Sequence, residues 1–475
     1  MTKWKSWLIA IFVVALLLRV GVALRFPSIE RPDEIFNSLE PAHHLAYGYG
    51  VVVWEWRQGV RSWVLPTVLA GLMRVTAWIG PGSQGYLTAI VIALSLLSLS
   101  CVWFGYAWAK KSSGTAAAII AAGACATWYQ LVYFAPKAFN EVVAADFLLP
   151  GLYLGMYGQE LLPEKKRLFL AGLCLGVSVA LRLQLAPAVA FAVLYFSYKR
   201  WTTRGPALLA GVLLPFVAFG LVDAITWSYP FQSYVRYLQI VVFQGRNSRY
   251  GVEPWYLYLT LLWKYLWPML LLAALAVRRN PLLGWVAVII VASHSVFSHK
   301  ELRFMYPVLP IVITLAALGL VEITSAFDAR IQARLSPATI TAVGLVCCIL
   351  ISSCFARWIF RWDEGSGGLI ALDRLSRDAS VCGVGLSRLP WDLTGGYVHL
   401  HRDVPIVLVN PNYNLTVQML NFNALVTLGP PLIDAQMGFK SEGCWKDVCL
   451  YRRPGPCFSS PPFYEVNKML RLNDQ

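Results

Sequence analysis

Apolar residues run uninterrupted along most of this chain, with neither helical nor alternating spacing. The first run spans Trp7 to Leu24. Others cover approximately Tyr86–Ala109, Gly114–Phe134, Val142–Tyr157, Leu168–Leu183, Ala186–Tyr198, Pro206–Ile225, Trp255–Val277, Leu282–Phe297, Phe304–Val321 and Pro337–Phe355. A helix crosses a bilayer with roughly 20 residues, so about eleven membrane helices are predicted. No small-residue cleavage site follows the first run, which therefore reads as an anchor. A twelfth candidate, Ser62–Gly80, is interrupted by Pro66 and Arg74. The pattern changes after Phe355. Ala379–Gly385, Tyr397–His399 and Pro405–Val409 alternate or run short and β-branched between Gly, Pro and Asn clusters. That predicts short strands in a small α/β domain. The expected organisation is a polytopic α-helical membrane domain over 1–355, with a first outer loop at 25–85, and an α/β domain over 356–475.

Composition agrees and narrows the class. Hydrophobic residues make up 57% and charged residues 14%, against about 25% charged in soluble domains. One large water-soluble domain or a disordered chain is excluded. Lys and Arg exceed Asp and Glu by 40 to 25, a net charge of +15. In a soluble protein that would point to nucleic acid; here its distribution points to topology. If Ser62–Gly80 lies along the membrane surface, the strongly basic short segments all fall on one side. They hold fourteen basic residues: Lys3/Lys5, Lys110/Lys111, Lys165/Lys166/Arg167, Lys199/Arg200/Arg204, Arg278/Arg279 and Arg330/Arg334. Positive charge marks the cytoplasmic face. The bilayer is therefore the expected partner, and nucleic acid is not. The opposite face then receives 25–85, 135–141, 226–254, the His299 end of one helix and everything after Phe355. Cys382, Cys444, Cys449 and Cys457 lie on that oxidising side, where one or two disulfides are expected. Zinc at Cys444 and Cys449 lacks a His at ligand spacing. The other six Cys, including Cys347 and Cys348, are expected core residues. The sequon at Asn414 carries no weight alone.

Ionisable residues gather in the segments assigned to the outer face. Residues 31–44 hold Arg31, Asp33, Glu34, Glu40, His43 and His44. A capped helix lying on the membrane accounts for Asp33, but not for the whole cluster in so charge-poor a chain; such clusters beside membrane segments are commonly sites. Trp54, Glu55, Trp56 and Arg57 follow, then Arg61 and Trp63. The Trp residues fit an interfacial belt. Arg57 and Arg61, four apart, share a face if the stretch is helical, and suit lipid headgroups or a specific phosphate alike. His299, Lys300, Glu301 and Arg303 separate two apolar runs with almost no loop. They could hold a phosphate or snorkel at a helix end. Tyr250, Gly251, Glu253 and Pro254 follow a loop with Arg246 and Arg249.

Taken in order, Pro32-Asp33-Glu34, Ser38-Leu39-Glu40, His43-His44, Trp54-Glu55-Trp56-Arg57, Arg61-Ser62, His299-Lys300-Glu301, Arg303-Phe304 and Tyr306-Pro307 resemble glycosyltransferase family 22. These are the polyprenyl-phosphate-mannose-dependent α-mannosyltransferases, among them the GPI and N-glycan-precursor enzymes. The resemblance covers roughly the first 310 residues. Tyr250-Gly251 with Pro254-Trp255-Tyr256 is similar to a further family segment. Arg31 and Leu302 depart from the pattern, and the stretch from Thr394 to Pro405 looks like prokaryotic members.

The resemblance implies a GT-C fold with the active site in the first outer loop. The implied reaction moves mannose from polyprenyl-phosphate mannose to a glycolipid or lipid-linked glycan hydroxyl, inverting C1 to an α-mannoside. A base must take the acceptor proton, a role that falls to Asp33, with Glu34 as alternative or helper. Cations must stabilise the phosphate leaving group, and Arg57, Arg61, Arg182, His299, Lys300 and Arg303 are the candidates. Glu40, His43, His44, Trp54, Glu55, Trp56, Tyr250 and Glu301 are candidates for substrate binding. Arg and Lys can neutralise one phosphate, so no obligatory metal is expected, with a divalent ion left open. The implied location is the cell membrane with an extracytoplasmic site, or the ER membrane with a lumenal one. Rival readings are a GT-C enzyme with another sugar donor or a protein acceptor, a polytopic transporter, and an inactive membrane subunit. The transporter reading would use Arg19, Arg74, Arg182 and Asp223, which lie at membrane level.

Overall fold

The computed structural model describes residues 2–80, 82–160, 162–326, 337–410, 412, 415–430, 438–457 and 465–472. Arg330, Arg334 and Asn414 lie outside the described residues. The chain forms two compact units, Met1–Val22 with Ala93–Phe360, and Ala23–Ile92 with Arg361–Gln475. The first-loop segment thus groups with the C-terminal segment, not with the helical body expected to contain it.

In the first unit every predicted apolar run falls on helix. Among the described residues, six helices are long and apolar enough to cross a membrane: Lys5–Arg25, Gln84–Thr127, Trp201–Thr226, Leu257–Ala276, Leu302–Ile323 and Ala338–Trp358. Gln84–Thr127 absorbs most of two predicted runs, with non-helical backbone at Gly114 where they divide. The other four runs become Asn140–Met156, Glu164–Leu181, Ala186–Ser197 and Pro281–Ser295, of 12 to 18 residues. These reach about 18–27 Å, short of a hydrocarbon core of about 30 Å.

Glycine permits close helix contact. A Cβ on Gly172 would lie 2.2 Å from the Leu208 carbonyl, and one on Gly211 2.2 Å from that of Phe169. Small residues of this kind let membrane helices approach without a hydrophobic drive. Arg19 is buried but donates to Ser98 Oγ and to the carbonyls of Ala15, Cys125 and Ala126. Asp223 accepts from the backbone and hydroxyl of Ser233. Such bonding explains buried charge without a transport role.

In the second unit, five strands run β1 Val384–Ser387, β2 Ile406–Leu408, β3 Ala424–Leu428, β4 Lys440–Trp445 and β5 Val448–Arg452. Their order is β2-β1-β3-β5-β4. β1 is parallel to both neighbours, whereas β5 is antiparallel to β3 and β4. The interior strand β1 is buried throughout, as a strand covered on both faces must be. Cys444 pairs with Cys449 across the β4–β5 hairpin, and Cys382 with Cys457, so the hairpin thiols hold no zinc. The expected strand at Tyr397–His399 is instead a short helix, Gly396–Leu400. Val64–Thr76, at 13 residues, is too short to cross a bilayer alone. It buries Leu65, Leu69 and Met73 and exposes Val68 and Val75.

Candidate functional site

Pro32 opens the first-loop helix, and its carbonyl accepts from the backbone of Ile35 and Phe36. Residues Ile35–Leu39 then widen into a π-helical turn, a distortion frequent at functional sites. Glu34 is buried at the start of this turn, with Asp33 half-buried before it. Asn37 Nδ2 bridges two carboxylates, 3.1 Å from Asp33 Oδ1 and 3.4 Å from Glu55 Oε1. Glu55 is buried and faces Arg61 at 3.8 Å. Burial pushes the Glu55 carboxyl above its ordinary range, and Arg61 opposes the shift. Asp33, Asn37, Glu55 and Arg61 therefore form one polar line. Trp56 is buried against Trp63, ring centroids 4.4 Å apart, and Trp54 is half-buried. Arg57 and Arg61 do not share a helical face. The helix ends at Arg57, and the chain turns at Gly59 with φ +65°. Arg57 donates to the carbonyls of Val52 and Leu470.

Glu40 and His43 are fully buried. Glu40 Oε1 accepts from the amides of Val51 at 2.7 Å and Tyr397 at 2.9 Å, and Oε2 from that of Val398 at 2.8 Å. Two of these are free amides in the first turn of helix Gly396–Leu400, so a carboxylate remote in sequence caps that helix. Gly396 has φ +59°, and a Cβ there would lie 2.8 Å from Glu40 Oε2. Both facts require glycine and explain why a sequence pattern suited to a strand folds as a helix. Burial raises the Glu40 carboxyl to about 7 despite the three amides. His43 Nδ1 lies 3.1 Å from the Tyr49 carbonyl. A carbonyl only accepts, so Nδ1 holds the proton and Nε2 accepts from His401 Nδ1 at 3.1 Å. Burial lowers His43 to about 3. The half-buried His44 is also lowered, and its Nδ1 has no partner among the described residues.

A second cluster lies within the first unit. Glu141 is buried where helix Asn140–Met156 begins. Its oxygens meet Arg303 Nη1 at 2.6 Å and Arg182 Nη1 at 3.6 Å. Arg303 Nε also binds Glu301 at 2.6 Å, and Glu301 takes His299 Nε2 at 2.8 Å. The Phe304 ring lies between the two guanidiniums, 4.3 Å from Arg182 and 4.7 Å from Arg303. Lys300 is buried and donates to the carbonyls of Glu253 and Phe297. The Glu253 amide donates to the Ser298 carbonyl, and Tyr250 meets the His299 ring. The Tyr250 loop and the His299–Arg303 turn thus come together. Sequence reasoning had given Glu141 no role. Its signal was a carboxylate bordering an apolar run. A separate cleft of about 590 Å³, lined by Glu160, Glu164, Arg167, Arg200 and Arg204, lies at the far end of helix Glu164–Leu181 from Arg182.

The family model of the Alg9-like mannosyltransferases matches residues 10–374, which take in the first-loop residues from Asp33 to Arg61 and the whole second cluster. The chain belongs to that family. GPI mannosyltransferase 3 of Yarrowia lipolytica is 28% identical over 411 residues, 83% of this chain and 76% of that protein. Its namesake in Drosophila melanogaster is 26% identical over 434 residues, 86% of this chain and 73% of the other. The structure of ArnT from Cupriavidus metallidurans bound to undecaprenyl phosphate aligns with a TM-score of 0.60 at 12% identity, over 97% of this chain and all of that one. The Archaeoglobus fulgidus oligosaccharyltransferase gives 0.51 at 12%, over 89% of this chain and 67% of that one. The fold is GT-C, and this family member is a multi-pass membrane mannosyltransferase.

Proposed function

We propose that this mannosyltransferase moves mannose from polyprenyl-phosphate mannose to a hydroxyl of a GPI-type glycolipid, inverting C1 to give an α-mannoside. The reading is carried by the family match, which spans Asp33 through Arg303. The relatives named GPI mannosyltransferase 3 support the acceptor class. The human relative, GPI alpha-1,2-mannosyltransferase 3, is 26% identical over 59% of this chain and supports a 1,2 linkage. Asp33 takes the acceptor proton, with Glu34 beside it, and Asn37 orients the Asp33 carboxylate. The guanidiniums around Glu141 neutralise the lipid phosphate as the C1–O bond breaks. The two disulfides support placing the C-terminal domain on an oxidising face, lumenal or extracytoplasmic.

The test is transfer by the detergent-solubilised protein from labelled polyprenyl-phosphate mannose, with labelled GDP-mannose in parallel, to a lipid extract. Labelled glycolipid is expected from the first donor alone. Asp33→Asn should lower transfer by about 10²–10⁴-fold. Full activity in that variant would remove Asp33 from the role of base. Transfer from GDP-mannose to the glycolipid acceptor in mixtures free of polyprenyl phosphate would overturn the lipid donor.

A further inference from the structure

Three buried polar atoms of the first unit have no hydrogen-bond partner among the described residues, and one of them belongs to a residue that neighbours the other two. They are Arg182 Nε, Tyr258 Oη and His294 Nε2. Their residues are 8%, 0% and 2% exposed. Tyr258 opens helix Leu257–Ala276, His294 closes the next helix, Pro281–Ser295, and Arg182 directly follows helix Glu164–Leu181. Pro281–Ser295 packs on Leu183–Leu185, on Leu302–Val308 and on Leu257–Ala276. Arg182 is a charged neighbour of both Tyr258 and His294, and the Tyr258 hydroxyl also lies by the Glu301 backbone.

A buried polar group left unpaired costs about 1–3 kcal/mol, so three around one guanidinium call for an occupant. Their chemistry is mixed. Arg182 Nε–H is a donor, and the Tyr258 hydroxyl carries a proton to give. His294 Nδ1 lies 2.8 Å from the Ile290 carbonyl and so holds the ring proton. Nε2 is left as a bare acceptor. A phosphate diester without a sugar offers acceptors only and cannot satisfy His294. A sugar phosphate offers both acceptors and hydroxyl protons.

We propose that Arg182, Tyr258 and His294 form the seat of a glycosyl phosphate headgroup. Arg182 Nε and Tyr258 Oη donate to the phosphate oxygens, and His294 Nε2 accepts from a sugar hydroxyl. The assignment of that headgroup to the mannosyl donor rests on the function proposed above. His294 then distinguishes the sugar-loaded lipid from the spent lipid phosphate, while Tyr258 holds both.

The experiment compares donor KM, the inhibition constant of unglycosylated polyprenyl phosphate, and that of inorganic phosphate. It uses wild type, Tyr258→Phe, His294→Phe and His294→Gln, with thermal melting as the check on folding. Tyr258→Phe should raise donor KM and the polyprenyl phosphate constant together, by about tenfold. His294→Phe should raise donor KM about tenfold and leave the polyprenyl phosphate constant unchanged, and His294→Gln, which keeps an acceptor, should restore much of the loss. Weakened inhibition by inorganic phosphate in Tyr258→Phe would mark the headgroup phosphate, not the lipid tail, as what the tyrosine holds. Equal weakening of both lipid ligands by His294→Phe would overturn the sugar-hydroxyl contact. Folded variants with all constants within twofold of wild type would overturn the site. Failure of the donor reading is distinct: wild type would transfer nothing from polyprenyl-phosphate mannose. Binding of mannose 1-phosphate, weakened by Tyr258→Phe and His294→Phe, would still support the seat.

Discussion

Glu40 and Glu141 are both buried carboxylates at helix starts, and their surroundings differ in kind. Glu40 in the second unit takes three backbone amides that cannot move away from it. His43 and His401 beside it donate and accept in a closed chain. Glu141 in the first unit takes two guanidiniums, one tightly and one at 3.6 Å. That looser partner's Nε has no partner among the described residues, and neither do Tyr258 Oη and His294 Nε2 near it. The first arrangement has satisfied itself and acts as a fastener. The second keeps hydrogen-bonding capacity in reserve, as a ligand site must. Residue type alone does not separate the two; the count of satisfied partners does.

That contrast can be broken by removing each carboxylate's partners. The largest effect is expected from Glu40→Ala, which strands three buried amides and should cost about 3–5 kcal/mol. It should be read as a lowered melting temperature with activity falling in parallel; unchanged melting would deny Glu40 its fastening role. Arg182→Gln should instead raise donor KM about thirtyfold, about 2 kcal/mol. Its melting temperature should barely change, because its ion pair with Glu141 is loose. Gly396→Ala forces a Cβ onto Glu40 at positive φ and should cost about 1–2 kcal/mol in melting experiments.

The smallest effect concerns pH. Glu40 is raised to about 7, so its contribution is present below about 4.5 and is lost as pH rises through 7. His43 is lowered to about 3, so its contribution is present above about 6.5 and is lost as pH falls through 3. Between pH 6 and 7 the two oppose each other. His43→Gln should unmask the Glu40 slope, a loss of about 1 kcal/mol from pH 6 to pH 7 where wild type loses only about a third as much. A parallel pH profile in both proteins would contradict the opposition.

Much of the membrane body was legible because unbroken apolar runs leave few alternatives to buried or spanning helix. Asp33, Glu34 and the His299–Arg303 turn stood out because charge is scarce in this chain. Tyr258 and His294 did not, since each lies within a run whose hydrophobicity absorbs a single polar residue. An ionisable ring inside such a run was the signal available for His294. The shared face of Arg57 and Arg61 assumed a helix that Gly59 ends. The helix at Tyr397 was illegible for a different reason. Its cap is Glu40, and no local window contains both residues.

That separation has a consequence for synthesis. The amides that complete Glu40 arrive 357 residues after it. At about 5–20 residues per second, the ribosome takes roughly 20–70 s to supply them. Throughout that interval the segment bearing Asp33 already exists while part of its own fold is unmade. A nascent or prematurely terminated chain would therefore carry the Asp33 loop unfastened, and only a chain extended past Val398 would hold it closed.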